Sequence, residues 1–506
     1  MNRNRRRTHW LVLAGRFLAS VAVMLPVGCT VGPDYHRPTA VETMPAAYDG
    51  ATNEWKVAAP RADLPKGSWW EVFGDPELNS LEARAAVANQ QLQVAVARFA
   101  QARASADVAR SALFPRIGTA FDATRQRDSA RRPLNTTGEA AGYAFTYDSF
   151  TLPFDLSYEL DLWGRVRRHV EAARATARAD AADVQAVRLA IAAEVAADYF
   201  TLRALDTEKA ALLAIIEADR KVLGLTRNRR ADGLVSDLEV AQAETALKSS
   251  EAQLPSLTLT RTKFEHALAT LTGQPASLFH LPPGSLDRAP PVIPAELPSE
   301  LLERRPDIAS AEHRMASANA GIGVAKGAFF PAVRFNGMAG FQDIDAGTLF
   351  SWPSRLWAVG PSLSLPLFEG GRLRANLRGS KAVYEETVAR YRQTVLTAFA
   401  DVEDNLAAQR LLAGQYDQEL AAWAAARKQL ELASQRERSG LVTYLQVATA
   451  QTAALERERV VTRLRGQRFA AAVALVKSLG GSWKGFESDG ETPSVHGGTD
   501  HIRQSP

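Results

Sequence analysis

Residues 233–247 read GLVSDLEVAQAETAL, and residues 440–455 read GLVTYLQVATAQTAAL. The two stretches align without a gap at an offset of 207 residues. In each, a glycine (Gly233, Gly440) supplies a helix stop. A capping box then starts a returning helix, Ser236-x-x-Glu239 in the first stretch and Thr443-x-x-Gln446 in the second. Taken alone, either stretch is the tip of an ordinary helical hairpin. The duplication extends outward from both. FDLSYELDLWGR at 154–165 matches PSLSLPLFEGGR at 361–372 at the same offset, and residues 88–115 align with 304–331 at an offset of 216. Three matches in one order predict two structural copies.

Each copy reads as helix, two strands, long helix, turn, helix. From Leu373 the apolar positions run Leu377, Tyr384, Val388, Tyr391, Val395, Phe399, Val402, Leu406, the three-and-four spacing of a coiled-coil seam. Val184, Val187, Ile191, Val195, Tyr199, Leu202 and Leu205 repeat it between Val166 and Arg230. Neither stretch contains proline, so each long helix should span on the order of 100 Å at 1.5 Å per residue. Returning helices are expected over 234–272 and 441–480, with further helices over 77–114 and 298–329. Between the copies, the proline-rich 273–297 reads as a loop. The expected organisation is 1–28 signal peptide, 29–76 anchor and extended segment, 77–297 first copy, 298–485 second copy and 486–506 disordered tail. The hairpin tips fall at 231–239 and 438–446.

Pro115 and Pro331 end helices, and strands are expected at about 116–125, 143–161, 332–342 and 357–368. Phe154, Leu156, Tyr158 and Leu160 alternate with Asp155, Ser157, Glu159 and Asp161, giving a sheet with one apolar and one polar face. A soluble sandwich would turn its polar face to water. An outer-membrane barrel would turn its apolar face to lipid and line a lumen with the other. A membrane sheet must close, and bacterial barrels need at least about eight strands. One chain is too few; three chains would supply twelve.

The formal charge is +4, from 60 basic against 56 acidic residues. Several basic residues (Arg3, Arg5, Arg6, Arg7) lie in the first seven positions. Nothing here argues for nucleic acid. An apolar stretch from Leu11 to Val27, interrupted by Arg16, follows that basic start as in an export signal. Cys29, the single cysteine, comes next. It is either an incidental residue of a discarded peptide or a lipoprotein cleavage site, acylated as the first mature residue. No later stretch of ~20 apolar residues could cross a bilayer as a helix. The eight histidines (His169, His266 and His313 on helices) lack ligand spacing, so no metal or other cofactor is expected. Gly321-x-Gly323-x-x-x-Gly327 lies inside a helical repeat with no strand before it, where close helix packing explains it better than a nucleotide loop.

Cys29-Thr-Val-Gly-Pro-Asp-Tyr-His-Arg-Pro38, Leu302-Glu-Arg-Arg-Pro-Asp-Ile308, Phe-Phe-Pro331 and Gly360-Pro-Ser-Leu-Ser-Leu-Pro-Leu-Phe-Glu-Gly-Gly-Arg372 together resemble a known family. Ala197-Asp-Tyr-Phe200 and Leu479-Gly-Gly-Ser-Trp483 fit as well. The family is that of the TolC-like outer-membrane factors, in the NodT-type lipoprotein branch serving resistance-nodulation-division pumps. The resemblance covers about residues 29–485. It implies a mainly α protein with a membrane β-barrel: a homotrimer with a 12-stranded barrel and a 12-helix periplasmic tube. It also implies a passive, non-enzymatic duct in the outer membrane, with a periplasmic adaptor and an inner-membrane pump as partners. In the family, the closed aperture is ringed by a Leu on the second hairpin and an Asp one turn later. The matching positions here are Leu445 and Thr449, with Leu238 and Gln242 on the first hairpin. A duct for type I protein secretion, or a periplasmic coiled-coil scaffold without a pore, are the alternatives.

Overall fold

The computed structural model describes residues 30–40, 67–130, 144–291, 293 and 304–481. The expected signal peptide, Cys29 and the expected tail lie outside the described residues. In chain order the elements are α1 (Pro76–Ala88), α2 (Gln90–Ser111), β1 (Arg116–Thr119), β2 (Asp122–Asp128), β3 (Phe145–Leu160), α3 (Arg165–Ala231), α4 (Asp237–Leu271), α5 (Pro306–Gly327), β4 (Ala332–Asp343), β5 (Arg355–Ser364), α6 (Arg372–Arg438) and α7 (Tyr444–Ser478). The helices α3 and α6 each have 67 residues, and α4 and α7 each have 35. The chain divides into two compact units: Met1–Met44, Gln91–Val187 and Pro306–Thr397 in one, Pro45–Gln90, Arg188–Arg305 and Ala398–Pro506 in the other.

The first unit contains one antiparallel sheet of order β1-β3-β4-β5, with β2 also paired to β3. The single strand expected at 116–125 is two strands in one register, Thr119 opposite Phe154 and Asp122 opposite Thr151. The interruption faces Pro153, which has no N–H to give and whose carbonyl instead accepts the Thr119 hydroxyl at 2.7 Å. At the other edge β5 stops at Ser364, short of the expected 368, because its partner β4 begins at Ala332, directly opposite Ser364. Residues 30–40 are clamped onto the helices of this unit. Val31 N–H donates to the Trp163 carbonyl at 3.0 Å, Arg168 pairs with Asp34 at 2.7 Å, and Arg37 pairs with Glu312 at 2.9 Å. A Cβ on Gly32 would lie 2.6 Å from Gly323 Cα, so both glycines serve this close approach.

In the second unit Phe73, Phe200 and Phe469 stack into one cluster, at 4.9 Å and 4.4 Å between successive rings. The helix expected at 77–114 breaks at Asn89, whose extended backbone (ψ 122°) separates α1 from α2. Its amide donates to the Leu271 carbonyl at 2.9 Å, satisfying an orphan acceptor at the end of α4. A buried ion network holds the proline-rich loop. Asp206 joins Arg261 at 2.6 Å and Arg203 at 3.3 Å, while the two guanidinium groups donate to the carbonyls of Leu281 and Pro282, each at 2.6 Å.

Two buried positions give tests. Val395 is 0% exposed, and Arg392, one turn earlier, is exposed. Val395→Asp would bury an unpaired carboxylate, so it should cut the yield of folded, assembled protein severalfold, while Arg392→Ala should not. Equal yields in a membrane-fraction immunoblot would refute the seam register. Glu82 is 2% exposed, and one of its oxygens has no partner. Burial pushes its carboxyl up to about 9. The folded chain therefore holds a proton that the unfolded chain releases at its ordinary pKa of about 4.3. Stability from this group is full below that pH and falls by about 1.4 kcal/mol per unit until the folded carboxyl ionises. Glu82→Gln should raise the thermal midpoint at pH 8 and flatten its dependence between pH 5 and 9.

Candidate functional site

The sheet supplies a surface with two chemistries. Along β3 the even-numbered residues share a face with their partners: Phe154, Ala339 and Trp357 form one row, Leu156, Gly337 and Val359 the next, then Leu160, Val333 and Leu363. Phe154, Phe335, Trp357, Val359, Leu363 and, on β1, Ile117 are exposed on this face. The opposite face is polar. There the Asn336 amide donates to the Ser362 hydroxyl at 2.8 Å, and Glu159 pairs with Arg165 at 2.6 Å and Arg334 at 3.5 Å.

The apolar face runs from Leu160 to Phe150, and the next even positions are Asp148 and Thr146. Eleven residues cover about 33 Å of strand, or about 25 Å of height at the ~40° tilt of a barrel, the thickness of an outer-membrane apolar band. At the Leu160 end, Trp163 stacks on Phe330 at 5.0 Å and donates its indole N–H to the Pro331 carbonyl at 2.9 Å. Trp352 lies exposed at the other end, while the exposed Trp357 stands in the row of Phe154, inside the band. Tryptophans at both borders match an interfacial belt. Among the described residues no helix is long and apolar enough to cross a membrane, and none of their acidic, His or Cys side chains cluster as a metal site.

The hairpin tips belong to the second unit. Gly233 and Gly440 adopt left-handed φ of 73° and 71°. Each closes its helix with paired bonds: Leu234 to Arg229 and Gly233 to Arg230 in the first, Leu441 to Arg436 and Gly440 to Glu437 in the second. Ser236 caps α4 in a reciprocal box with Glu239, whose carboxylate accepts the Ser236 N–H at 3.0 Å. The second tip departs from expectation. Thr443 occupies the N-cap position without a side-chain bond, because the Gln446 N–H already donates to the Thr443 carbonyl at 3.1 Å. Arg230 grips Asp237 at 2.7 and 3.1 Å, which holds that carboxyl below its usual range. Arg229 reaches Glu437 on the other hairpin at 2.6 Å.

Leu238, Gln242 and Thr449 line one groove of about 560 Å³ between α4 and α7. Leu445 lies in the first turn of α7, and its side chain is outside the described residues. The same groove reaches Asp219, which sequence reading missed. Asp219 is 3% exposed and accepts bonds from Ser250 at 2.8 Å and Gln451 at 2.5 Å, so it joins α3, α4 and α7. Burial raises its pKa. Nothing local distinguishes it from a solvated helix acid; only the opposing Gln451, more than 200 positions away, reveals it.

A family model described as "Outer membrane efflux protein" matches residues 81–274 and 297–481. The pyoverdine export outer membrane protein OpmQ of Pseudomonas aeruginosa is 34% identical over 454 residues, covering 88% of this chain and 94% of that protein. The toluene efflux pump outer membrane protein TtgF of Pseudomonas putida is 33% identical over 489 residues, covering 95% and 98%. Among solved structures, the outer-membrane channel OprN superposes with a TM-score of 0.79 at 31% identity, covering 90% of this chain and all of that one. The chain belongs to the outer membrane efflux protein family: it is an outer-membrane efflux channel protein, and not an enzyme.

Proposed function

We propose that three copies of this chain close a twelve-stranded barrel and a twelve-helix periplasmic tube. Small toxic or drug-like molecules would leave through it passively, delivered by an inner-membrane resistance-nodulation-division pump and a periplasmic adaptor. The observation that carries this is the sheet, apolar on one exposed face, polar on the other, with β5 paired only to β4 among the described residues. An edge strand in hydrocarbon must find a partner, and another copy offers a matching edge. Equal helix lengths, 67 and 67, then 35 and 35, support two structural copies over 77–297 and 298–485. The names of OpmQ and TtgF, which cite pyoverdine export and toluene efflux, favour small molecules over secreted proteins as cargo.

We also propose that residues 1–28 are removed and Cys29 is acylated. The next residue, Thr30, sits against Gly164 where β3 passes into α3; a Cβ on that glycine would collide with the Thr30 side chain. This clamp supports an anchor held at the membrane surface. Mass spectrometry of the mature N-terminus should find lipidated Cys29; an unmodified start elsewhere would refute it. Cys29→Ser should still assemble, because the barrel dominates membrane attachment.

The periplasmic aperture is proposed to close through Leu445, Thr449, Leu238 and Gln242 by apolar contact and hydrogen bonding. Support comes from the groove shared by three of them and from Asp237, whose charge is held by Arg230. A ring of threonines lacks the charge that focuses cations. In planar bilayers Leu445→Ser should raise the closed-state current, and Thr449→Asp should create block by multivalent cations. Unchanged conductance in Leu445→Ser would remove that residue from the aperture, and strong block of the wild type would place an acidic ring there instead.

A further inference from the structure

The helices join the sheet at residues 116, 160, 332 and 364, so the Asp128 end of β2, the Phe145 end of β3 and the segment 344–354 mark its other, outer end. Three arginines stand there on the apolar face. Arg125 is opposite Asp148 and Arg127 opposite Thr146, both even positions of β3. Arg355 is opposite Phe341, itself opposite Leu152. In a barrel this face meets lipid, and arginine is tolerated on it only near the interface. The register sets Arg125 and Arg127 beyond the last apolar row and Arg355 in the row of Leu152, just inside it; the long Arg355 side chain reaches outward to the Trp352 carbonyl, toward the same headgroup level.

Two acids share this level, and neither cancels the set. Asp148 lies 3.9 Å from Arg125. Asp343 is turned into its own loop, accepting from the N–H groups of Ile344 and Asp345 and the hydroxyls of Thr348 and Ser354. Among the described residues, neither Arg127 nor Arg355 pairs with a carboxylate. Arg355 donates its Nε–H to the Trp352 carbonyl at 2.8 Å and lies over the Trp352 ring, and the residue is exposed. Exposed Trp352 and Trp357 flank it. Arg355 stands three strand spacings across from Arg125, about 14 Å, and four residues along the strand, about 13 Å.

We propose that this rim binds the phosphate-bearing headgroup of an outer-leaflet glycolipid, with Arg125, Arg127 and Arg355 as phosphate ligands. The proposal rests on the barrel reading. A guanidinium fork matches phosphate oxygens bidentately, and amphipathic indoles suit the sugar–acyl boundary. Continuity with the apolar band selects a lipid over a soluble anion, because the acyl chains would lie on Phe154, Trp357 and Val359. Full-length assembled protein in detergent would be titrated with bisphosphorylated lipid A and with the same lipid dephosphorylated, and bound lipid counted by native mass spectrometry. Wild type should prefer the phosphorylated form by about tenfold or more, the scale of several charge contacts at a surface. Substituting Arg125→Gln, Arg127→Gln and Arg355→Gln together should abolish that preference while assembly persists. A wild type indifferent to phosphate, or a triple variant with undiminished preference, overturns the proposal. A chain that stays soluble without detergent would instead overturn the barrel beneath it. The wild-type comparison stands even if the triple variant misassembles.

Discussion

Hydrocarbon offers no partner to a backbone amide, and each one left unpaired there costs several kcal/mol. Among the described residues, the ten residues of β5 bond to β4 on one side only. About half of their N–H and C=O groups point the other way, so an open edge would cost on the order of tens of kcal/mol. No side-chain arrangement offsets that, and the proposed trimer is its direct consequence: membrane insertion and assembly become one step. The same constraint explains the tolerance of Pro153 inside a central strand. Its missing N–H falls where the ladder to β1 and β2 lapses, and the Thr119 hydroxyl serves its carbonyl.

Much of this could be read from periodicity. The alternation from Phe154 to Asp161 assigned the faces of β3 because side chains on a strand alternate regardless of what the strand pairs with. The hairpin tips were legible because glycine and a capping residue act within five positions. What escaped were features made by distant partners. Asn89 looks like any polar helix residue until the end of α4 presents the Leu271 carbonyl to it. The split between β1 and β2 was written in Pro153, but on the neighbouring strand. Thr443 and Ser236 have the same local pattern and differ only in which acceptor takes the N3 amide.

The clamp of residues 30–40 also lay beyond sequence reading, although half its cause is visible. Gly323 belongs to a glycine-spaced helix segment that suggested close packing, and the packing partner is the extended segment at Gly32. The proline-rich loop shows a related logic. Its carbonyls at Leu281 and Pro282 take their hydrogen bonds from Arg261 and Arg203. Burying those guanidinium groups carries a desolvation cost, which Asp206 and Glu265 offset by charge. The ions here fix where an irregular segment lies, a task apolar side chains could not perform without stranding the carbonyls.

Within the second unit these interactions grade in strength along the hairpins. Around Asp206 the charges are buried, and breaking such a network costs about 3–5 kcal/mol. At Asp219 a buried carboxylate holds one serine and one glutamine, with charge-assisted bonds of about 1.5–3 kcal/mol each. At the tips, Arg230–Asp237 is exposed to solvent and Arg229–Glu437 partly so, and water screens such pairs until they contribute little. Local opening follows the weakest links. A separation of the hairpins confined to the tips thus costs little, and one that reaches Gln451 must first strip Asp219 of a partner it cannot replace with water while buried. That difference would set how far along the hairpins the proposed aperture can widen before it draws on the stability of the fold.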